Sequence, residues 1–248
     1  MRNSCVHNYI VTIMTTFTVQ RAADRFLTDA GWLHSQHSFN FGPHYSPDHE
    51  GHGLLLVNND DVVAAGQGFG THGHRDMEIV TWVLSGRLEH KDSEGNHGIL
   101  YPGLAQRMSA GSGIRHSEFN ASPDEPVHFL QMWVPPDTAG IEPGYEQLDL
   151  NEALSGGGLV PIASGQGHAG AIKVHQRDAV LWGGRLQPDE AVTIPLAPHV
   201  HLFVAVGSGS LDDAGELATG DAVRLTDSGA LMFIAGAEGA ELSVWATT

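Results

Sequence analysis

Two short segments of the sequence carry the histidine and acidic side chains best suited to metal chemistry. The first holds His72 and His74 in a glycine-rich stretch, and the second holds His116 and Glu118. Because side chains alternate between the two faces of a β-strand, residues at positions i and i+2 point to the same side. Each segment therefore presents two possible metal ligands to one point.

This combination of side chains predicts the type of metal. Three neutral imidazoles and one carboxylate, with coordination positions left open, suit Fe(II), Mn(II), Co(II), Ni(II) or Cu(II). A closed structural zinc site more usually recruits cysteine, and the single cysteine of the chain, Cys5, is remote from both segments. The set is related to the facial triad that activates dioxygen.

Glu78 competes with Glu118 for the carboxylate position. In a straight strand, Glu78 would lie roughly 13 Å from His74 at about 3.3 Å per residue, so only a turn between them would bring it to the metal. Spacing alone leaves both glutamates open.

The elements that must position these residues are short β-strands. Four apolar runs, Glu78–Leu84, Val127–Val134, His201–Val206 and Leu231–Ala235, are separated by turn signals from 31 glycines and 12 prolines. Helical periodicity is weak throughout, so we predict an all-β sandwich or barrel.

The charge of the chain excludes some classes of partner. It has 29 acidic and 12 basic residues, a formal net charge of −17, and no basic run. Such a surface repels phosphate backbones and anionic membranes, so we expect neither as a partner. No apolar stretch approaches the roughly 20 residues of a membrane helix. The lone cysteine excludes an intrachain disulfide framework, and these features favour the cytoplasm.

The chain divides into two related halves. Residues 103–109 are similar to residues 220–226, and His72 and His74 are echoed by His199 and His201. Counting 13 residues from Gly103 reaches His116, whereas the same count from Gly220 reaches Phe233, so we expect no metal in the second half. We expect His199 and His201 to lie on the surface or to make hydrogen bonds.

The sequence resembles the pirin family, which belongs to the cupins. The resemblance is strong over residues 17–180. It rests on Trp32-Leu33, residues 39–41, 59–61, 66–78, 88–92, 108–120, 131–133, 142–147 and 173–176. The general cupin pattern G-x5-H-x-H-x3-4-E is matched by Gly66, His72, His74 and Glu78.

The resemblance implies a bicupin, two stacked double-stranded β-helix barrels, in which only the first barrel holds a metal. The metal is usually iron, so we expect Fe(II), with Mn, Co, Ni, Cu or Zn as alternatives. The family pattern assigns its ligands to His72, His74, His116 and Glu118, favouring Glu118 over Glu78. The expected segments are an N-terminal extension (1–16), the metal-binding barrel (17–148), a connection (149–170) and a C-terminal barrel without metal (171–248).

The resemblance also implies a function. Bacterial pirins are associated with quercetin 2,3-dioxygenase activity, in which O2 opens the ring of a flavonol. In such a reaction we expect Glu118 to take the hydroxyl proton as a general base if it swings away from the metal. Phe41, Phe69, Met77 and Met108 are candidates for an apolar substrate slot. The alternative is a non-catalytic, metal- and redox-dependent module that binds another protein. From the likeness we expect a monomer.

Overall fold

The computed structural model describes residues 16–248, which form β-strands almost throughout. The helical elements of this part of the chain are one short helix, α1 (Asn151–Ser155), and two 3-10 turns at Ala22–Asp24 and Pro47–His49. The all-β prediction is confirmed, and each of the four predicted runs lies in a strand to within one residue. Among these residues, no helix has the length and apolar composition needed to span a bilayer.

The N-terminal barrel consists of two sheets. A seven-stranded sheet has the order β12-β9-β6-β11-β4-β3-β2, and a four-stranded sheet has the order β5-β10-β7-β8. The strands of this half are β1 (Thr16–Gln20), β2 (Phe26–Asp29), β3 (Leu33–His37), β4 (Val57–Val63), β5 (Gly68–His74), β6 (Glu78–Ser85), β7 (Leu88–Asp92), β8 (His97–Leu100), β9 (Leu104–Ser109), β10 (Ile114–Asn120), β11 (Val127–Val134) and β12 (Gly144–Asp149). Leu88 and Leu100 of the smaller sheet pack in one cluster with Val83 and Phe129 of the larger sheet.

The C-terminal barrel is a single nine-stranded sheet. Its strands are β13 (Val160–Ser164), β14 (Ile172–Lys173), β15 (Ala179–Leu186), β16 (Ala191–Thr193), β17 (His199–Leu211), β18 (Gly215–Ala218), β19 (Ala222–Thr226) and β20 (Met232–Thr247), joined by β1 from the N-terminus. Its interior is filled by an aliphatic cluster that includes Val200, Leu202, Val204 and Phe233.

The largest hydrophobic cluster lies between the two barrels. It joins Leu130 and Met132 of β11 to Phe203 and Trp245 of the C-terminal sheet. Gln131, between Leu130 and Met132, faces the other way and lines the interior of the N-terminal barrel. The seven-stranded sheet therefore contacts the second barrel with one face and encloses the candidate site with the other.

The sheets differ in two places from the segments expected from the sequence. β1 crosses to the second barrel and pairs with β19, from Thr16 opposite Thr226 to Gln20 opposite Ala222. The expected connection, residues 149–170, contains α1 and β13, and β13 pairs with β15 in the C-terminal sheet. Local composition does not show these pairings, because they join residues far apart in sequence. The expected N-terminal extension lies outside the described residues except for Thr16.

One half of the predicted internal repeat agrees with the topology. Gly103 and Gly220 precede β9 and β19 with φ of 90° and 85°, which glycine adopts without strain. The predicted correspondence between the pair His72 and His74 and the pair His199 and His201 does not agree with the topology. β17, which begins at His199, lies between β19 and β20 as β6 lies between β9 and β11, so its counterpart is β6 and not the histidine strand β5.

Candidate metal centre

Three histidine side chains converge at one point inside the N-terminal barrel. The Nε2 atom of His116 lies 3.0 Å from Nε2 of His74 and 3.0 Å from Nε2 of His72. Ligand nitrogens of all three residues lie within 4.8 Å of one another. The two segments predicted from the sequence are thus brought together by the pairing of β5 with β10.

The register of that pairing positions the histidines. His116 is directly opposite His72, Ile114 is opposite His74, and a bulge after His116 places Glu118 opposite Phe69. Gly68 allows this close approach, because a Cβ at that position would collide with the backbone of Glu118 and Phe119. Gly68 is therefore a packing requirement of the two strands, whereas a Cβ at Gly66 or Gly70 would meet no neighbouring atom of the described residues.

Hydrogen bonds orient the imidazole rings. His72 Nδ1 donates to the carbonyl oxygen of Gly70 at 2.8 Å, which leaves the lone pair on Nε2. His116 Nδ1 lies 3.5 Å from Nδ1 of His90, and His90 Nε2 lies 3.2 Å from Asp92 Oδ2. A chain from a buried carboxylate through His90 therefore reaches the ring nitrogen of His116 that faces away from the other histidines.

Burial favours the neutral form of two of the three imidazoles, those of His74 and His116. Burial lowers the pKa of His74 to about 4, with a further contribution from His72. Burial also lowers the pKa of His116 to about 2, and His72, His74 and His90 act in the same direction. Neutral rings keep the lone pairs that a metal ligand requires.

Glu118 is completely enclosed beside the histidines, on strand β10. Gln131 Nε2 donates a 2.7 Å hydrogen bond to Glu118 Oε2, and within residues 16–248 Oε1 has no hydrogen-bond partner. Burial raises the pKa of Glu118 to about 7; the hydrogen bond from Gln131 opposes this rise, and the charge of Asp61 adds to it. A buried carboxylate oxygen without a partner is costly unless another group binds it.

The residues fit a transition metal. Nitrogens that bind one ion at about 2.0–2.1 Å must lie within about 4 Å of each other, and both 3.0 Å separations from Nε2 of His116 meet this condition. Three imidazoles and a carboxylate form a mixed donor set that suits a first-row divalent ion. Glu118 is not part of the three-histidine group: its carboxylate lies within 4.8 Å of ligand atoms of His116 and His90, where its unpartnered Oε1 would offer an additional donor.

Glu78 lies on the face of β6 that points away from the three histidines. It shares that face with Val80 and Trp82, which pack in the cluster between the barrels. Its Oε2 accepts hydrogen bonds from Ser109 Oγ at 2.9 Å and from the backbone nitrogen of His175 at 3.0 Å. Glu78 therefore links β6 to the second barrel by hydrogen bonds and does not face the three histidines.

A cavity of about 580 Å³ opens beside the histidines. His72, His74 and Glu118 line one part of it, and four large aromatic side chains form its walls: Trp32, Phe41, Phe69 and Trp133. Trp133 packs edge-on against His74 with ring centroids 4.9 Å apart, and Trp32 packs edge-on against Phe69 at 5.3 Å. A flat aromatic molecule fits between such walls.

Two of the four predicted slot residues, Phe41 and Phe69, line this cavity. The prediction was wrong for Met77 and Met108, which pack in a separate hydrophobic cluster with Ile79 and Ile114. Met108 is on the inner face of β9, but it packs among these apolar side chains and does not line the cavity.

Sequence reasoning missed His90, Gln131 and the two tryptophans. For Gln131 the sequence does hold a signal, because it is the one polar residue in the otherwise apolar run 129–134 of β11. The sequence holds no such signal for His90, because its role depends on the pairing of β7 with β10, which places His90 opposite Glu118.

His199 and His201 do not form a second site of this kind. His201 is 1% exposed, and neither ring nitrogen has a hydrogen-bond partner among the described residues. The prediction that it lies on the surface or makes hydrogen bonds was therefore wrong. The alternation along β17 explains its position: Val200 and Leu202 fill the barrel interior, so His201 faces outward against Phe39 of the first barrel, with ring centroids 5.3 Å apart.

Family models match both halves of the chain. The pirin model covers residues 17–134, and a model described as the quercetinase C-terminal cupin domain covers residues 161–242. A quercetin 2,3-dioxygenase of Escherichia coli is 42% identical over 214 residues, which are 86% of this chain and 91% of that protein. The chain belongs to the pirin family. It is thus a two-domain cupin.

Two further relatives match nearly the whole length of this chain. A Mycobacterium tuberculosis protein that is provisionally named a quercetin 2,3-dioxygenase is 55% identical over 231 residues, covering 93% of this chain and 94% of its own. The crystal structure of the bacterial pirin YhhW from E. coli in complex with nickel(II) has a TM-score of 0.85 and 38% identity, and the match covers 93% of this chain and 98% of YhhW. The site described above is therefore the candidate metal site of a pirin.

Proposed function

We propose that this pirin is a metal-dependent dioxygenase that opens the ring of quercetin-like flavonols. The observation that carries the proposal is the position of the candidate metal site in the wall of an aromatic-lined cavity. A protein that only presents a surface to a partner has no need of an enclosed cavity at its metal. The names of the E. coli and mycobacterial relatives support the same activity.

In this proposal, His72, His74, His116 and Glu118 hold one divalent transition metal. Fe(II) is the ion we propose, and the nickel complex of E. coli YhhW supports a site that also accepts other first-row ions. When bound, the metal supplies a Lewis acid that lowers the pKa of a coordinated hydroxyl, and a centre at which O2 reacts.

The protein's own residues orient the substrate and move its proton. Phe41 and Trp133 on one side and Trp32 and Phe69 on the other hold the flat ring system and exclude water from it. Glu118 accepts the proton of the flavonol 3-hydroxyl as a general base when its carboxylate swings away from the metal. In the overall reaction the flavonol takes up both atoms of O2, the central ring opens, and one ring carbon leaves as carbon monoxide.

The test is direct. The purified protein is loaded separately with Fe(II), Mn(II), Co(II), Ni(II) and Cu(II) and mixed aerobically with quercetin, while the flavonol absorbance band and the released carbon monoxide are followed. We expect loss of the band with stoichiometric carbon monoxide for at least one metal, and none after chelation. Absence of turnover with all five metals would remove the flavonol dioxygenase function. Action as a monomer in the cytoplasm stays a prediction.

A further inference from the structure

A belt of polar side chains crosses the inner face of the seven-stranded sheet. Its members are direct cross-strand neighbours: His37, Asn59, Gln131, Thr81, Gln106 and Gln147. The five from His37 to Gln106 are at most 7% exposed. Apolar clusters lie on either side of this belt, one with Val83 and Phe129 and one with Ile79 and Met108. Burial of so many polar groups costs stability unless they bind something.

The middle of the belt supports the metal centre. Gln131 donates to Glu118, and Gln106 Nε2 lies 3.3 Å from Nδ1 of His90. These two residues therefore have partners that explain their burial.

At the end of the belt on β3 and β4, one buried carboxylate oxygen lacks a partner among the described residues. There Asn59 and Asp61 occupy alternate positions of β4, opposite His37 and Ser35, and all four residues line the cavity. Asp61 is 4% exposed, and within residues 16–248 its Oδ1 has no hydrogen-bond partner. This carboxyl faces the cavity and is not part of the three-histidine cluster.

Hydrogen bonds fix the side chains around Asp61. His37 Nδ1 lies 2.8 Å from Asn59 Oδ1, and His37 Nε2 lies 2.9 Å from the hydroxyl of Thr28. Because the Asn59 oxygen accepts from His37, the amide nitrogen of Asn59 is not used in this bond. The structure therefore presents an oriented amide donor beside a carboxyl acceptor, two residues apart on one strand.

Aromatic rings connect this polar end of the cavity to the candidate metal site. The ring of His37 stacks on Phe41 with centroids 5.1 Å apart, Phe41 packs edge-on against Trp133 at 5.6 Å, and Trp133 contacts His74. A ligand bound at His74 that extends along these rings reaches His37, which is hydrogen-bonded to Asn59, and Asp61 lies two residues further along the same strand.

We propose that Asp61 and Asn59 form a second recognition site, which binds phenolic hydroxyl groups of the substrate other than the one at the metal. This inference rests on the proposed function. A phenolic hydroxyl donates to a carboxylate and accepts from an amide, so a polyhydroxylated aromatic satisfies both groups, whereas an unsubstituted ring leaves Oδ1 of Asp61 buried without a partner. The pair is a specificity determinant and takes no part in the chemical step.

The test compares quercetin with 3-hydroxyflavone, which keeps the hydroxyl and ketone at the metal and lacks the other hydroxyls. Binding to the metal-loaded protein is measured without O2 by quenching of Trp32 and Trp133 fluorescence. A hydrogen bond to a charged group contributes about 1.5–3 kcal/mol, so we expect quercetin to bind at least tenfold more tightly. Asp61→Leu removes this preference, Asp61→Asn retains part of it, and the exposed control Asp124→Leu retains it fully.

The outcomes separate the two proposals. If neither flavonol binds to the wild-type protein, the flavonol function itself is wrong. If both bind and turn over equally well in the wild-type protein, or if Asp61→Leu keeps the preference, the function stands and the second recognition site is wrong. Unchanged metal content in each variant, by elemental analysis, excludes an indirect effect through the metal.

Discussion

Gln131 Nε2 donates a 2.7 Å hydrogen bond to Glu118 Oε2 across the interior of the barrel, from one sheet to the other. This bond favours the ionised carboxylate, against the burial that raises its pKa. A residue on the facing sheet therefore adjusts the pKa of the carboxyl group proposed to bind the metal and to act as general base.

The first prediction concerns Gln131→Leu. Loss of the donor raises the pKa of Glu118 in the metal-free protein further, and because a metal binds the ionised carboxylate, the site takes up metal only at higher pH. The pH midpoint of metal uptake moves upward by about one to two units, since a hydrogen bond to a charged group contributes about 1.5–3 kcal/mol. Competition with a chromophoric chelator across a pH series measures this midpoint, and the exposed control Gln187→Leu leaves it unchanged. An identical midpoint in Gln131→Leu would contradict the role assigned to this bond.

The second prediction concerns His90→Phe. His116 Nδ1 then has no ring nitrogen to donate to, so the orientation and basicity of His116 are lost. Metal affinity falls by about 10- to 100-fold, as for other groups that hold a ligating histidine. Competition with a chromophoric chelator measures the affinity. His97→Phe, on the neighbouring strand and exposed, is the matched control, and equal affinities in both variants would show that His90 does not act on the metal site.

The third prediction separates the two glutamates. Glu118→Gln weakens metal binding, and His116→Ala abolishes it. Glu78→Gln retains one equivalent of metal but lowers the free energy of unfolding by about 1–3 kcal/mol, because Glu78 accepts bonds from Ser109 and His175. Elemental analysis and urea unfolding measure the two effects. The assignment of Glu118 as the metal ligand would be reversed if Glu78→Gln folded stably but bound no metal, while Glu118→Gln bound a full equivalent.

The fourth prediction is a pH dependence of stability. Burial raises the pKa of Asp61 to about 7, above its usual value of 3.8, so the folded protein favours the protonated form. Ionisation of Asp61 therefore destabilises the metal-free protein progressively between about pH 4 and pH 7, by about 1.4 kcal/mol for each unit of pKa difference. Asp61→Asn removes this effect. Relative to the wild type, the variant becomes more stable as the pH rises from 4 to 8 in urea unfolding. A stability difference that does not change with pH would show that Asp61 is not buried in this way.

Local sequence predicted the strands and the candidate ligands. The alternation of a β-strand brings His72 beside His74 and His116 beside Glu118 wherever those strands lie, so spacing alone was enough to propose the two pairs. The same rule was insufficient for His199 and His201. They do share a face of β17, but only the packing of the two barrels decides that this face lies between them.

The sequence by itself determined the fold class, the family and two pairs of possible metal ligands, since these depend on residue type and on spacing along one strand. The tertiary structure decided which pairs meet, that Glu78 faces the second barrel, and that Asp61 lines the cavity with one carboxylate oxygen left unpartnered within residues 16–248. These outcomes depend on register between strands distant in sequence. A shift of one residue would turn each side chain to the opposite face, and no local pattern encodes the choice.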